Sequence, residues 1–170
     1  MARRMDHTIT FDAPVEKMYQ DLTSRDYWQT LIEVYQQFTP SAITSFTSSE
    51  NGTDIVFVQE LPWSELPSIA RAVIPSDMVI TRKQHFDPYD HANNCAEGTY
   101  SAAIPKGPGR FGGRYFLTET DTGSQLRLAS ECKVWIPLVG GALEDLILHH
   151  IRYLFDGEEA FAADWIAKHH

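Results

Sequence analysis

A single change of period governs what this chain can fold into. Through most of residues 41–136 the apolar residues recur two apart, the repeat of a half-buried strand. From Ala142 to Ala167 they recur three and four apart, the repeat of a helix. The two regimes meet at Ile-Pro-Leu-Val-Gly-Gly, residues 136–141, where Gly140 and Gly141 are expected to let the backbone reverse tightly. Grouped strands followed by one long helix form an α+β pattern. A curved antiparallel sheet cannot close its own concave face, so the last strand should deliver that helix across it.

The upstream segments agree with this scheme. Met5, His7, Ile9 and Phe11 alternate with polar residues in a first strand. Asp12 as N-cap, Pro14 in the first turn and Glu16 beside it signal a short helix, and Ser24 caps a second. Glu50-Asn51-Gly52 between two alternating runs predicts a hairpin. The Pro/Gly-rich "PKGPGRF" joins two later strands, and its glycines lack the pattern of a phosphate loop. The whole reads as a single domain over 1–168, with six to seven strands. His169 and His170 resemble the end of a purification tag and receive no functional weight.

Composition excludes several partners. A formal net charge of −9 lacks the basic face that nucleic acid requires. No apolar run is long enough to cross a bilayer, and the N-terminus has no secretory h-region, so no stable membrane insertion and a cytoplasmic location are expected. Cys95 and Cys132 match no metal or redox spacing, and neither a metal nor a cofactor is expected. Cys95 falls on the outer face and Cys132 on the inner one, which argues against a disulfide.

Alternation assigns inward faces. Leu126, Leu128, Ser130, Cys132, Val134 and Ile136 share one face of the last strand; Met78, Ile80, Arg82, Gln84 and Phe86 share one in an earlier strand. Ala96, Gly98, Tyr100, Ala102 and Ile104 form a third inner set. The faces of 55–60 and 114–119 are mixed and stay open. On the long helix, Leu143, Ile147, His150, Leu154, Glu158, Phe161 and Trp165 form one stripe. Two polar residues, His150 and Glu158, interrupt it, and Gly157 lies beside it; together they favour a cavity over a solid core. Glu158 has an inward partner available in Arg82. His149 and His150 point about 100° apart and cannot share one metal, and His149 should be solvated. "HFDPYDHANN", residues 85–94, reads as a turn-rich loop and not as a cation site.

The segments "DYW" (26–28), "LPWSELPSIARAVIPSDM" (61–78), "PKGPGR", "IPLVGGALEDLI" and "EEAFAADWIAKH" span nearly the whole chain. With this order of elements the chain resembles the START-like superfamily, the helix-grip fold, and within it a bacterial subfamily defined only as a domain of unknown function. The resemblance implies an elongated apolar cavity between the sheet and the C-terminal helix, with "LPSIARAVIP" as a gating turn or short helix. It implies a binding protein, carrier or sensor, for a small hydrophobic or amphipathic molecule such as a lipid, polyketide or isoprenoid. The cavity would be lined by Tyr27, Trp28, Phe57, Trp63, Ile80, Tyr100, Phe116, Leu128, Cys132, Leu143, Ile147, Leu154 and Glu158. His150, Arg82 and Gln84 would orient a polar group. Two alternatives stand beside it. One is a polyketide cyclase- or dehydratase-like enzyme with His150 as acid/base and Tyr100 as donor, against which the lack of a paired catalytic constellation weighs. The other is an interaction module with a collapsed interior, using Trp63, Trp135 and the long helix.

Overall fold

The computed structural model describes residues 2–66, 68–72, 74–103 and 109–169, and of His150 the backbone alone. The described residues form seven strands: β1 (Arg3–Phe11), β2 (Ser41–Ser49), β3 (Gly52–Leu61), β4 (Met78–Phe86), β5 (Ala96–Ala103), β6 (Gly109–Thr120) and β7 (Gly123–Val134). They form one sheet in the order β1-β7-β6-β5-β4-β3-β2, every neighbouring pair antiparallel. Only β1 lies out of sequence order, closing against β7 after the chain has crossed the rest of the sheet. Helices α1 (Val15–Leu22) and α2 (Arg25–Tyr35) follow β1, α3 (Ser68–Arg71) precedes β4, and α4 (Gly140–His169) ends the chain. This is the helix-grip fold anticipated above. No helix among the described residues is long and apolar enough to cross a membrane.

Local signals explain most boundaries. The Ser24 hydroxyl accepts from the Tyr27 backbone N–H at 3.2 Å, capping α2 as its sequence predicts. The cap of α1 differs from expectation. Pro14 holds that position without a side-chain hydrogen bond, and its carbonyl accepts from the Met18 N–H at 3.0 Å. Asp12 therefore does not cap the helix. Ile104 and residues 105–108 of the "PKGPGR" loop lie outside the described residues.

The corner between β7 and α4 also departs from expectation. Leu138, not a glycine, carries the positive φ of 70°, and a Val139 N–H to Pro137 carbonyl bond of 2.9 Å closes the turn around it. Gly140 serves a different need: a Cβ there would lie 2.8 Å from the Val134 carbonyl oxygen, too close for any other residue. One turn on, buried Glu144 accepts the Val134 N–H at 2.8 Å and faces Arg3 and Lys133 at 3.6 and 3.7 Å. That backbone bond first, and the two cations after it, hold the Glu144 carboxyl below its ordinary range. The helix start is thereby tied to the end of the strand that delivers it.

The core lies between the concave face of the sheet and the layer of α1, α2 and α4. Phe57, Phe86, Met18, Ile32, Ile55 and Leu117 are fully buried there. Each contributes about 1.5–3 kcal/mol by leaving water. The two strands left open by their sequence resolve cleanly: Ile55, Phe57 and Gln59 face inward on β3, and Tyr115 and Leu117 on β6.

Candidate functional site

The inner wall carries polar groups in an otherwise aromatic setting. Phe57 and Arg82 sit opposite each other on β3 and β4. The Arg82 guanidinium lies over the Phe57 ring, 4.7 Å from its centroid. From α4, Glu158 accepts from Arg82 Nη2 at 3.0 Å and from the Tyr35 hydroxyl of α2 at 2.6 Å, both on the same Oε1. The Arg82 and Glu158 side chains are only 11% and 15% exposed. Arg82 Nη1 is buried with no hydrogen-bond partner among the described residues. Sheet, short helix and long helix thus meet at one buried charge pair.

Two further polar links cross the sheet beside it. The Tyr115 hydroxyl donates to the Gln84 side-chain oxygen, and its ring stacks on Phe86 with centroids 5.0 Å apart. Tyr100 and Ser130 share a hydrogen bond between hydroxyls. Gly113 stands between these two in the register, and a Cβ there would come within 2.7 Å of the Tyr100 hydroxyl oxygen. Its missing side chain is what lets the tyrosine lie flat across the sheet.

Electrostatics follow from burial. Desolvation opposes charge on Arg82, but Glu158 and then Tyr35 outweigh it and hold the guanidinium more firmly charged than usual. Burial first, and Glu158 next, push the Tyr35 and Tyr115 phenols well above their ordinary range. Burial pushes Tyr100 up to about 12 and Cys132 up to about 11. At neutral pH these phenols and this thiol are neutral hydrogen-bonding groups rather than bases or nucleophiles.

The space left in this interior is small. A cavity of about 30 Å³ lies there, bounded by Tyr27, Trp28, Phe86, Tyr115, Leu128 and Glu158, among other side chains. That is room for about one water molecule, far below the few hundred Å³ of a typical ligand site. Among the described residues the space at this place is well below the ligand-sized gap expected from the sequence. The physical reason is aromatic infill: Tyr27 packs edge-on against Phe161 and Trp165 at 5.2 and 5.3 Å, and Phe155 packs on Tyr100 at 6.3 Å.

The predicted lining residues divide accordingly. Tyr27, Trp28, Phe57, Gln84, Tyr100, Leu128, Cys132 and Leu143 are buried, Arg82 and Glu158 nearly so, and Ile80, Ile147 and Leu154 are half-buried. Trp63 is not in the interior. It lies outside, its indole N–H donating to the Ile74 carbonyl at 2.7 Å and Arg71 resting on its ring. Phe116 faces the convex side, where Arg114 and Arg127 cover it, because its neighbours Tyr115 and Leu117 point inward. Gly157 faces open space and makes no room inside. The His150 side chain lies outside the described residues, and with it the acid/base role considered above; His149 is exposed, as expected.

Tyr35, Tyr115, Phe86, Phe155 and Ala162 join the site without having been singled out for it. Tyr35 did carry a signal, since Trp28, Leu31, Ile32 and Tyr35 form one helical stripe. On α4 the buried line runs through Leu143, Phe155, Ala162 and Trp165, so Phe155 takes the central place expected of Leu154.

A seven-stranded antiparallel sheet gripping a C-terminal helix defines the START-like, helix-grip fold. Across residues 6–166 the sequence matches a family described as a protein of unknown function (DUF2505), and the chain belongs to that family. It is 24% identical over 178 residues to an uncharacterised protein of Mycobacterium tuberculosis, Rv0481c, with 99% of each chain covered. Among solved structures, the fold is similar to TTHA0849 from Thermus thermophilus (TM-score 0.56, 15% identity, 100% of each chain). It is also similar to Ms6760 from Mycobacterium smegmatis (TM-score 0.55, 14% identity, 98% of this chain and 92% of that one).

Proposed function

We propose that this protein binds a small amphipathic molecule with an anionic or strongly polar end, in the space between the concave sheet and α4. The observation that carries the reading is the Arg82–Glu158–Tyr35 cluster with its unpartnered Arg82 Nη1. A charge pair inside an aromatic core stabilises little, because desolvation offsets the attraction, and apolar residues of equal volume would do as well. An arginine presented there is suited to meet an acidic group, while Tyr27, Trp28 and Phe57 offer an apolar body its walls. Gln84 and Tyr100 supply neutral hydrogen bonds. Because the interior is closed in this state, binding requires α4 or the α3 segment to move outward, and the occupied form differs from the one described. The role is that of a carrier or sensor in a reducing cytoplasm, where Cys95 and Cys132 stay free, and no catalytic step is assigned.

Native mass spectrometry of detergent-free protein from its own host tests this reading, alongside titration with the anionic aromatic probe 1-anilinonaphthalene-8-sulfonate. A copurified amphiphile, or saturable one-to-one probe binding weakened at least tenfold by Arg82→Gln, supports it. No adduct together with probe binding indifferent to Arg82 overturns it.

A second reading, an interaction module, is favoured by the closed interior and by Trp135 and Leu138, 57% and 105% exposed on the β7–α4 corner. Its mark would be a stable protein complex lost on Leu138→Asp while probe binding is unchanged.

A further inference from the structure

Outside the interior, β1 and α4 bring three metal-ligating side chains to one point. His7 of β1 faces Asp156 and Glu159, which stand three residues apart on the same side of α4. The His7 ring nitrogen and the two carboxylates place ligand atoms within 4.8 Å of one another. His7 Nε2 is buried and makes no hydrogen bond among the described residues, and it stands 3.7 Å from Asp156 Oδ1. That separation is too long for a hydrogen bond. It is close to the roughly 3.4 Å that separates two ligand atoms bound about 2.1 Å from one tetrahedral ion. The ring is held in place by Phe155, at a centroid distance of 5.5 Å, and the side chain is 13% exposed. Asp156, by contrast, is 63% exposed, so the approach from solvent is open.

We infer that His7, Asp156 and Glu159 form a binding site for a divalent first-row transition ion, with Zn²⁺ the best match to one imidazole and two carboxylates. Two carboxylates and a neutral imidazole balance a divalent charge. The buried Nε2, which otherwise lacks a hydrogen bond, gains a strong partner. Three protein ligands leave at least one position for water on the exposed side. The ion would clip the middle of α4 to edge strand β1, joining two elements that the chain brings together only at its ends. This site is separate from the Arg82 cluster and stands whether or not an amphiphile binds there.

The test is equilibrium dialysis of untagged full-length protein against ZnCl₂ after chelator treatment, with bound metal quantified, and thermal melts with and without metal. Wild type, His7→Gln, Asp156→Asn and Glu159→Gln are compared, so uptake by the terminal histidines cancels. Exposed Asp156→Asn guards against misfolding, because its metal-free melt should match that of wild type. The expected result is one equivalent of Zn²⁺ in wild type that raises the melting temperature. Its affinity should fall at least tenfold in each variant. Equal stoichiometry and affinity across wild type and Asp156→Asn, or no uptake by wild type, would overturn the assignment.

Discussion

Replacing Glu158 by leucine while Arg82 remains should be among the most damaging single changes in the interior. The guanidinium would lose its carboxylate at 3.0 Å, and the Tyr35 hydroxyl its acceptor at 2.6 Å. Removing one partner of a buried pair costs about 3–5 kcal/mol, since an uncompensated charge is left behind. With 11% and 15% exposure this pair keeps a little contact with water, so about 3–4 kcal/mol is expected. For a domain of this size that lowers the melting temperature by roughly 6–16 °C. The double variant Arg82→Met/Glu158→Leu should recover most of that loss and come within about 1–2 kcal/mol of wild type, because no charge is left buried while the Tyr35 hydroxyl still lacks its acceptor. Probe binding should nevertheless remain lost. Urea unfolding followed by tryptophan fluorescence and circular dichroism measures the stabilities of both variants, with the slope checking that unfolding stays two-state. A Glu158→Leu protein as stable as wild type would refute the argument that the pair is a desolvated one kept for function.

Three further contacts carry predictions of their own. His85 lies between Asp54 and Asp87, at 2.8 and 3.0 Å; partial burial opposes its charge, but hydrogen bonds and charges from Asp54 and then Asp87 outweigh it and raise its pKa. Its contribution to stability is therefore complete below the unfolded value of about 6.5 and fades as pH rises through the higher folded value. The melting-temperature gap between wild type and His85→Gln should narrow from pH 6 to pH 8.5, and a constant gap would contradict the linkage. Gly113→Ala would drive a Cβ to 2.0 Å from the Ala129 carbonyl oxygen; a loss of at least about 2 kcal/mol is expected in urea unfolding, and a neutral result would mean the β6–β7 register yields freely. Leu138→Gly relieves a left-handed backbone worth about 1–2 kcal/mol, against about 0.5–1 kcal/mol of added chain entropy, so it should be neutral to about 1.5 kcal/mol stabilising; a clear destabilisation would show that the exposed leucine packs on something.

Periodicity is a local property, and what depended on it was readable in the chain. The seven strands, the α2 cap at Ser24, the inward line Leu126–Val134 and the long helix after residue 139 all follow from spacing and capping over a few residues. Even the pairing of Arg82 with Glu158, 76 residues apart, was foreseeable, since each is a charge on an apolar face and opposite charges seek one another there. Only the tertiary structure could decide the rest. Whether Tyr115 or Phe116 points inward depends on which face of β6 meets α1 and which meets Arg114 and Arg127, and an all-aromatic pair leaves no alternation to read. The left-handed residue at the corner became Leu138, because Gly140 was needed where the helix passes the Val134 carbonyl. The approach of His7 to Asp156 and Glu159 arises from how far α4 slides along β1, a displacement that no single segment encodes. The cavity volume is likewise a small difference between the space the sheet encloses and the side chains that fill it. Spacing announces that such a space exists, and packing alone sets how much of it stays empty.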